Sequence, residues 1–172
     1  MLLGILQLVD NDVFGLVLAP SLGKFVYYVS VIDDFSRNTW IYLLMKKSEV
    51  FYRFKEFKTL VEKQIEKKIK VLRTDNDEEF FKNKFEYFYR KCGIALLKAT
   101  PYTPQKNGVA KRMNRTLMER ARSMPSGVGL GQEFWAEAVD TACYFVNRSP
   151  SSVWRIRLHK KYGLVRNPLF HI

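Results

Sequence analysis

The run FVYYVSVI, residues 25–32, constrains the fold more than any other stretch of this chain. It is aromatic or β-branched on both faces that a period-two backbone presents. A strand of this kind has to be covered on both sides, so it belongs inside a sheet that carries a layer on each face. A turn over Asp33–Asn38 and a second apolar run, Trp40–Met45, make the two strands a hairpin.

The remaining elements arrange themselves around that hairpin. Leu6–Val17 is extended and apolar but is interrupted by Asp10, Asn11 and Asp12. Burying carboxylates is expensive, so either this strand is an edge or its acids have a task. Ser48 suits a helix N-cap and Glu49 the positive helix end. Val50, Phe54, Phe57, Val61 and Ile65 then form one helical stripe, with Arg53, Lys55, Lys58 and Lys63 on a solvated face. Ile69–Leu72 reads as a fourth strand running into the polar segment Arg73–Glu79. Asn83–Cys92 reads as a helix stopped by Gly93, and Ile94–Lys98 as a fifth strand. After a loop over Thr100–Gly108, a long helix is predicted from Val109 to Met124, with Val109, Met113, Leu117, Ala121 and Met124 as its stripe. Pro125–Gly131 is expected to break it. A last helix, Glu133–Asn147, offers Phe134, Trp135, Ala138, Ala142 and Phe145 for packing. The order predicts an α/β domain over residues 1–151, a five-stranded mixed sheet flanked by helices, without internal repeats. Residues 152–172 turn basic and lose the helical stripe; they read as a divergent, poorly ordered tail.

Lys and Arg number 29 against 17 Asp and Glu, a net charge of +12, which favours a polyanionic partner such as nucleic acid. Cys92 and Cys143 lie in apolar surroundings without zinc spacing and read as reduced core residues of an intracellular protein. No stretch is long enough to cross a membrane, and Met1–Ile5 lacks the basic start of a signal peptide.

Phosphodiester chemistry needs charge neutralised on a phosphate and an activated oxygen nucleophile. Two divalent cations about 4 Å apart do both, and such hard ions want carboxylate oxygens. Asp12 in the first strand and Asp75 just past the fourth are the candidates, since a sheet of this order sets strand four beside strand one. The simpler alternative is that Asp75 caps a turn and Asp12 is an edge charge.

The segments VSVIDDFSRNTWIYLLMKKSEVF, IKVLRTDNDEEF, ATPYTPQKNGVAKRMNRTLMERARSM and EFWAEAVDTACYFVNRSP, in this order, resemble the catalytic core of Copia-type retrotransposon integrases over about residues 6–151. The resemblance implies a three-layer ribonuclease-H-like fold, DNA cutting and strand transfer within a Pol polyprotein, and an Asp-Asp-Glu triad using magnesium or manganese. Carried over, it places the first two acids, both metal ligands, at Asp12 in LVDNDVFG and Asp75 in RTDNDEEF. The third position, where the family has Glu directly before Arg, is Lys111; thirty-five residues lie between it and Asp75. An ammonium there removes a ligand, repels a cation and can pair with Asp12 or Asp75. Glu119 lies two helical turns farther on, about 12 Å away, and Glu78 and Glu79 follow Asp75 too closely to substitute.

Other departures from the family are Asp77 for Gly, Lys106 for Gln, Pro125 for Leu, and the tail. The expectation is therefore a decayed integrase copy, catalytically silent, that still folds and contacts DNA through Lys106, Asn107, Arg112, Asn114, Arg115 and Arg122. Three alternatives stay open: an active metal-dependent polynucleotidyl transferase, a host-adopted nucleic-acid-binding module, and an unfolded pseudogene product. The family role further implies the nucleus and a homodimer, with no membrane and no small-molecule substrate.

Overall fold

The computed structural model describes residues 4–17, 19–74, 82–98, 108–129 and 131–149. The elements run β1 (Leu8–Gly15), β2 (Tyr27–Asp33), β3 (Thr39–Leu44), α1 (Val50–Ile65), β4 (Val71–Thr74), α2 (Lys82–Cys92), β5 (Ala95–Lys98), α3 (Gly108–Val128) and α4 (Trp135–Arg148). The five strands form one sheet in the order β3-β2-β1-β4-β5. The pairs β3–β2 and β2–β1 are antiparallel, and β1–β4 and β4–β5 are parallel. The hairpin supplies the antiparallel half, and the two strand–helix–strand crossovers supply the parallel half.

The two-faced apolar pattern of β2 has the expected consequence. Val29 and Val31 face one way, with Trp40, Tyr42 and Leu44 of β3, and pack on the α1 stripe and on Phe85 and Tyr89 of α2. Tyr28 faces the other way, with Ile41 and Leu43, and packs on Leu117, Met118 and Ala121 of α3 and on α4. The sheet is thus the middle of three layers. Val50, Phe54, Phe57, Val61 and Ile65 are all buried, as their spacing predicts.

Of the two readings left open for β1, the edge is excluded: β2 and β4 flank it, so its polar residues sit in the middle of the sheet. Four local expectations need correction. Ser48 caps nothing; it lies inside a 3-10 turn, Lys47–Glu49, where the Glu49 carboxylate accepts the Lys46 amide at 3.2 Å. α3 does not stop at Pro125 but runs to Val128, because a proline deletes one backbone bond without preventing a further turn; Gly129, at φ +69°, ends it. The last helix starts later than predicted, after a 3-10 turn over Gln132–Phe134. Phe145 lies on its outer side, 51% exposed, while Trp135, Ala138 and Ala142 are buried. The tail, residues 152–172, lies outside the described residues.

Candidate nucleic-acid site on strand β1 and helix α3

Alternation along β1 sends Val9 and Val13 to the α1/α2 layer and Asp10, Asp12 and Phe14 to the α3/α4 layer. Asn11, on the first side, is 1% exposed, and its side-chain amide has no hydrogen-bond partner among the described residues.

Asp10 is fully buried and stands opposite Arg73 of β4 in the parallel register. The guanidinium grips it at two points: Nε donates to Oδ1, and Nη2 donates to Oδ2 at 2.8 Å. The same Nη2 donates to Asp34 Oδ1 at 3.2 Å, and Asp34 in turn meets Arg37 at 3.4 Å. Four charges of alternating sign therefore run from the middle of the sheet to the β2–β3 turn. Burial pushes the Asp10 carboxyl up from its ordinary value, and the two hydrogen bonds from Arg73 oppose that shift. Those same bonds hold the Arg73 guanidinium more firmly charged. Asp33, beside Asp34, is also buried and accepts from the Leu6 amide at 2.9 Å and from the amide and hydroxyl of Ser36, which ties the β2–β3 turn to the segment leading into β1.

Asp12, two residues beyond Asp10, is half-buried and paired in register with Ser30 of β2. Its Oδ2 accepts a 2.7 Å hydrogen bond from the side-chain amide of Asn114 on α3. Asn114 itself is 3% exposed, and its amide turns inward to the sheet. Lys111, one helical turn earlier, is exposed, as are Arg112, Arg115 and Arg122. Arg115 pairs with Glu119 at 3.3 Å, so that acid is engaged on the outer face of α3. Asp75, Lys106 and Asn107 lie outside the described residues. The last described pairing between β1 and β4, Asn11 with Thr74, ends one residue short of Asp12 and of Asp75. The structure thus joins Asp12 to α3 through Asn114. It also shows the Asp10–Arg73–Asp34–Arg37 chain, which the sequence signalled only as an acidic interruption of β1 and a polar run after β4.

No protein-family profile matches the chain. It is 48% identical over 149 residues to the retrovirus-related Pol polyprotein from transposon TNT 1-94 of Nicotiana tabacum, an alignment covering 87% of this chain and 11% of that protein. It is 32% identical over 166 residues to the corresponding polyprotein from transposon RE1 of Arabidopsis thaliana, covering 94% of this chain and 11% of the relative. The chain therefore spans about a tenth of the length of the curated relatives it matches. Among solved structures, its fold is similar to a chain of the simian T-cell lymphotropic virus intasome in complex with PP2A regulatory subunit B56 gamma. The TM-score is 0.69 at 16% identity, over 96% of this chain and 58% of that one. The sheet order, the helical layers and that likeness define a ribonuclease-H-like fold. By its sequence relatives, the chain belongs to the retrovirus-related Pol polyproteins of Copia-type transposons.

Proposed function

We propose that this chain is an integrase catalytic-core segment that binds DNA in the nucleus and has lost strand transfer, because Lys111 stands where the family resemblance puts the third acid. The observation that carries the reading is the Asn114–Asp12 hydrogen bond. It fixes the first turns of α3 against β1, with Lys111 one turn from the residue that touches Asp12. A lysine in that neighbourhood supplies a cation where metal-dependent phosphoryl transfer needs a hard oxygen ligand.

The described residues alone do not fit a divalent-metal site. Asp12 is a single carboxylate with one oxygen engaged by Asn114, and no three His, Cys, Asp or Glu side chains gather among the described residues. What remains suits polyanion binding: Arg112, Arg115 and Arg122 are exposed on the outer part of α3 within a chain of net charge +12. Such contacts fall on phosphates, so the binding is sequence-tolerant.

A strand-transfer assay with magnesium or manganese tests the proposal. The chain as it stands is expected to retain DNA but give no turnover, and Lys111→Glu to raise turnover by several orders of magnitude, each factor of ten being about 1.4 kcal/mol of barrier. Measurable strand transfer by the unsubstituted chain would overturn it.

A further inference from the structure

The charge is not evenly placed over the two helical layers. Over α1, α2 and the turns that follow them, residues 50–70 and 85–94, nine Lys and Arg stand against four Glu. Over α3, α4 and their connection, residues 108–124 and 131–149, six stand against four Asp and Glu. The larger surplus therefore lies on the layer that faces away from Asp12 and Asn114. Topology gathers part of it at one end of the sheet. β4 and β5 are parallel, and α1 and α2 precede them in one layer, so both helices end where those strands begin. The Lys70 carbonyl accepts the Ala95 amide at 2.9 Å, which ties the two entry turns together. Lys63, Lys68 and Lys70 from the first side, and Arg90 and Lys91 from the second, are all exposed.

None of these five side chains makes an ion pair among the described residues. The acids beside them are Glu66 and Glu86; Glu62 is engaged by Lys58 at 2.7 Å and by the Ile69 amide at 2.9 Å. Lys63, Arg90 and Lys91 lie in last helical turns, where a cation also offsets the helix dipole. Lys68 and Lys70 lie beyond α1 and have no such role. The chemistry of the set selects its partner. Four of the five are lysines, a residue depleted at protein–protein interfaces. Adsorption to a membrane needs an apolar face beside the charge, but Ile65 and Ile69 point into the core. Single strands stack successive bases on several rings, and Tyr87, one turn before Lys91, is the one exposed ring beside this set among the described residues. A duplex carries one negative charge per about 1.7 Å of its axis and meets flexible point charges without demanding a fixed geometry.

We infer that the end of the sheet where α1 and α2 finish is a second docking surface for double-stranded DNA, held through backbone phosphates by Lys63, Lys68, Lys70, Arg90 and Lys91. Val71, next to Lys70, pairs with Leu8, and Asp12 lies about 13 Å farther along β1 and faces the opposite layer, so this surface is separate from the site described above. The inference rests on the reading above only in taking DNA as the duplex; it needs neither Lys111 nor the arginines of α3.

Trace acetylation of the full chain, with and without a saturating mixed-sequence DNA duplex and mapped by mass spectrometry, locates the surface without any substitution. Lys63, Lys68, Lys70 and Lys91 are expected to be protected by the duplex. Lys68→Gln with Lys70→Gln, Arg90→Gln and Lys91→Gln, all exposed positions, is expected to keep its melting transition. The same variant should lower the slope of log affinity against log salt by about two to four, at about 0.9 for each lost phosphate contact. Lys68→Arg with Lys70→Arg and Lys91→Arg should keep the slope, since charge and not side-chain shape is what the phosphates meet. Arg112→Gln with Arg115→Gln should leave the lysine protection in place. A chain that binds no duplex removes both this surface and the DNA contact through α3. A chain that binds the duplex while these lysines stay reactive and the Gln variant keeps its slope overturns this surface alone. Stronger protection of the same lysines by a single strand, or by vesicles containing phosphatidylserine, overturns the duplex as its partner.

Discussion

Asn114 works in the direction opposite to its sequence neighbours. Arg112 and Arg115 face solvent, whereas Asn114 is buried and its amide reaches Asp12 across the α3–β1 boundary. Its own Oδ1 is buried without a partner among the described residues, so the side chain is held for what its Nδ2 does. Asn114→Ala removes one hydrogen bond to a carboxylate but also removes that stranded oxygen, so a modest loss of about 1 kcal/mol is expected in urea unfolding. Asn114→Asp is expected to cost more, because it sets a second carboxylate at hydrogen-bonding range of the first. The sign with pH follows: one member of such a pair titrates above its unfolded value, so the folded state takes up a proton as the solution is acidified. The extra deficit of Asn114→Asp should therefore shrink from neutral pH into mild acid, and a pH-independent deficit would show that the two side chains do not share a site. The cysteines differ in a comparable way. Cys143 is 5% exposed, its thiol donates to the Thr39 carbonyl at 3.3 Å, and burial pushes it up to about 12. Cys92 is partly exposed at the end of α2. A thiol-directed reagent at neutral pH should label Cys92 and leave Cys143 untouched until denaturant is added, as read by peptide mass mapping; equal native rates would contradict that burial.

Between elements, the contact that most needs explaining is β1 against β4. A four-residue parallel strand offers few ladder bonds, and this one is joined by the Asp10–Arg73 pair at its register position. Breaking a buried pair strands the other group, so Arg73→Leu should destabilise by about 3 kcal/mol or more, with the Asp10 carboxyl left buried without its partner. Replacing both, Asp10→Leu with Arg73→Leu, removes the stranded carboxyl and should recover most of that loss in the same denaturation series. A double variant no more stable than the single would mean that the chain through Asp34 and Arg37, rather than the pair, holds the strands. What the sequence made legible here follows from periodicity. The α1 stripe and the alternation of β2 announce which sides are buried, and both layers follow from them. What it left hidden is partner choice. Asp10 and Arg73 are sixty-three positions apart and become neighbours only once β4 is laid beside β1, so the pair is a property of topology. Ser48 misled for a related reason: a favourable capping residue is overridden when the chain enters α1 through a 3-10 turn.

At the scale of the whole molecule, the three layers and the charge can be read from the chain as it stands, but the placement of the charge cannot. Helical spacing sets Arg112 and Arg120 on one side of α3, but only the closure of α4 and the β2–β3 turn over that side brings Arg37 to them. In the same way, the spacing of Asn114 from its basic neighbours does not reveal that the helix presses this one residue onto Asp12. The cationic surplus itself is a bulk property: 29 Lys and Arg against 17 Asp and Glu, in a chain none of whose described helices is long and apolar enough to cross a membrane. If that surplus acts on DNA through phosphate contacts, each neutralised phosphate releases counterions, and affinity must fall with salt in proportion to their number. A footprint of about six phosphates would lose about three orders of magnitude between about 50 and 200 mM salt, with little difference between duplexes of unrelated sequence. Substituting the exposed Arg115 or Arg122 by Ala should lower the slope of log affinity against log salt by about one each, if each meets one phosphate. A binding curve insensitive to salt, or one that discriminates strongly between sequences, would place the recognition on base edges and not on this basic face, and would remove polyanion attraction as the reason for the charge.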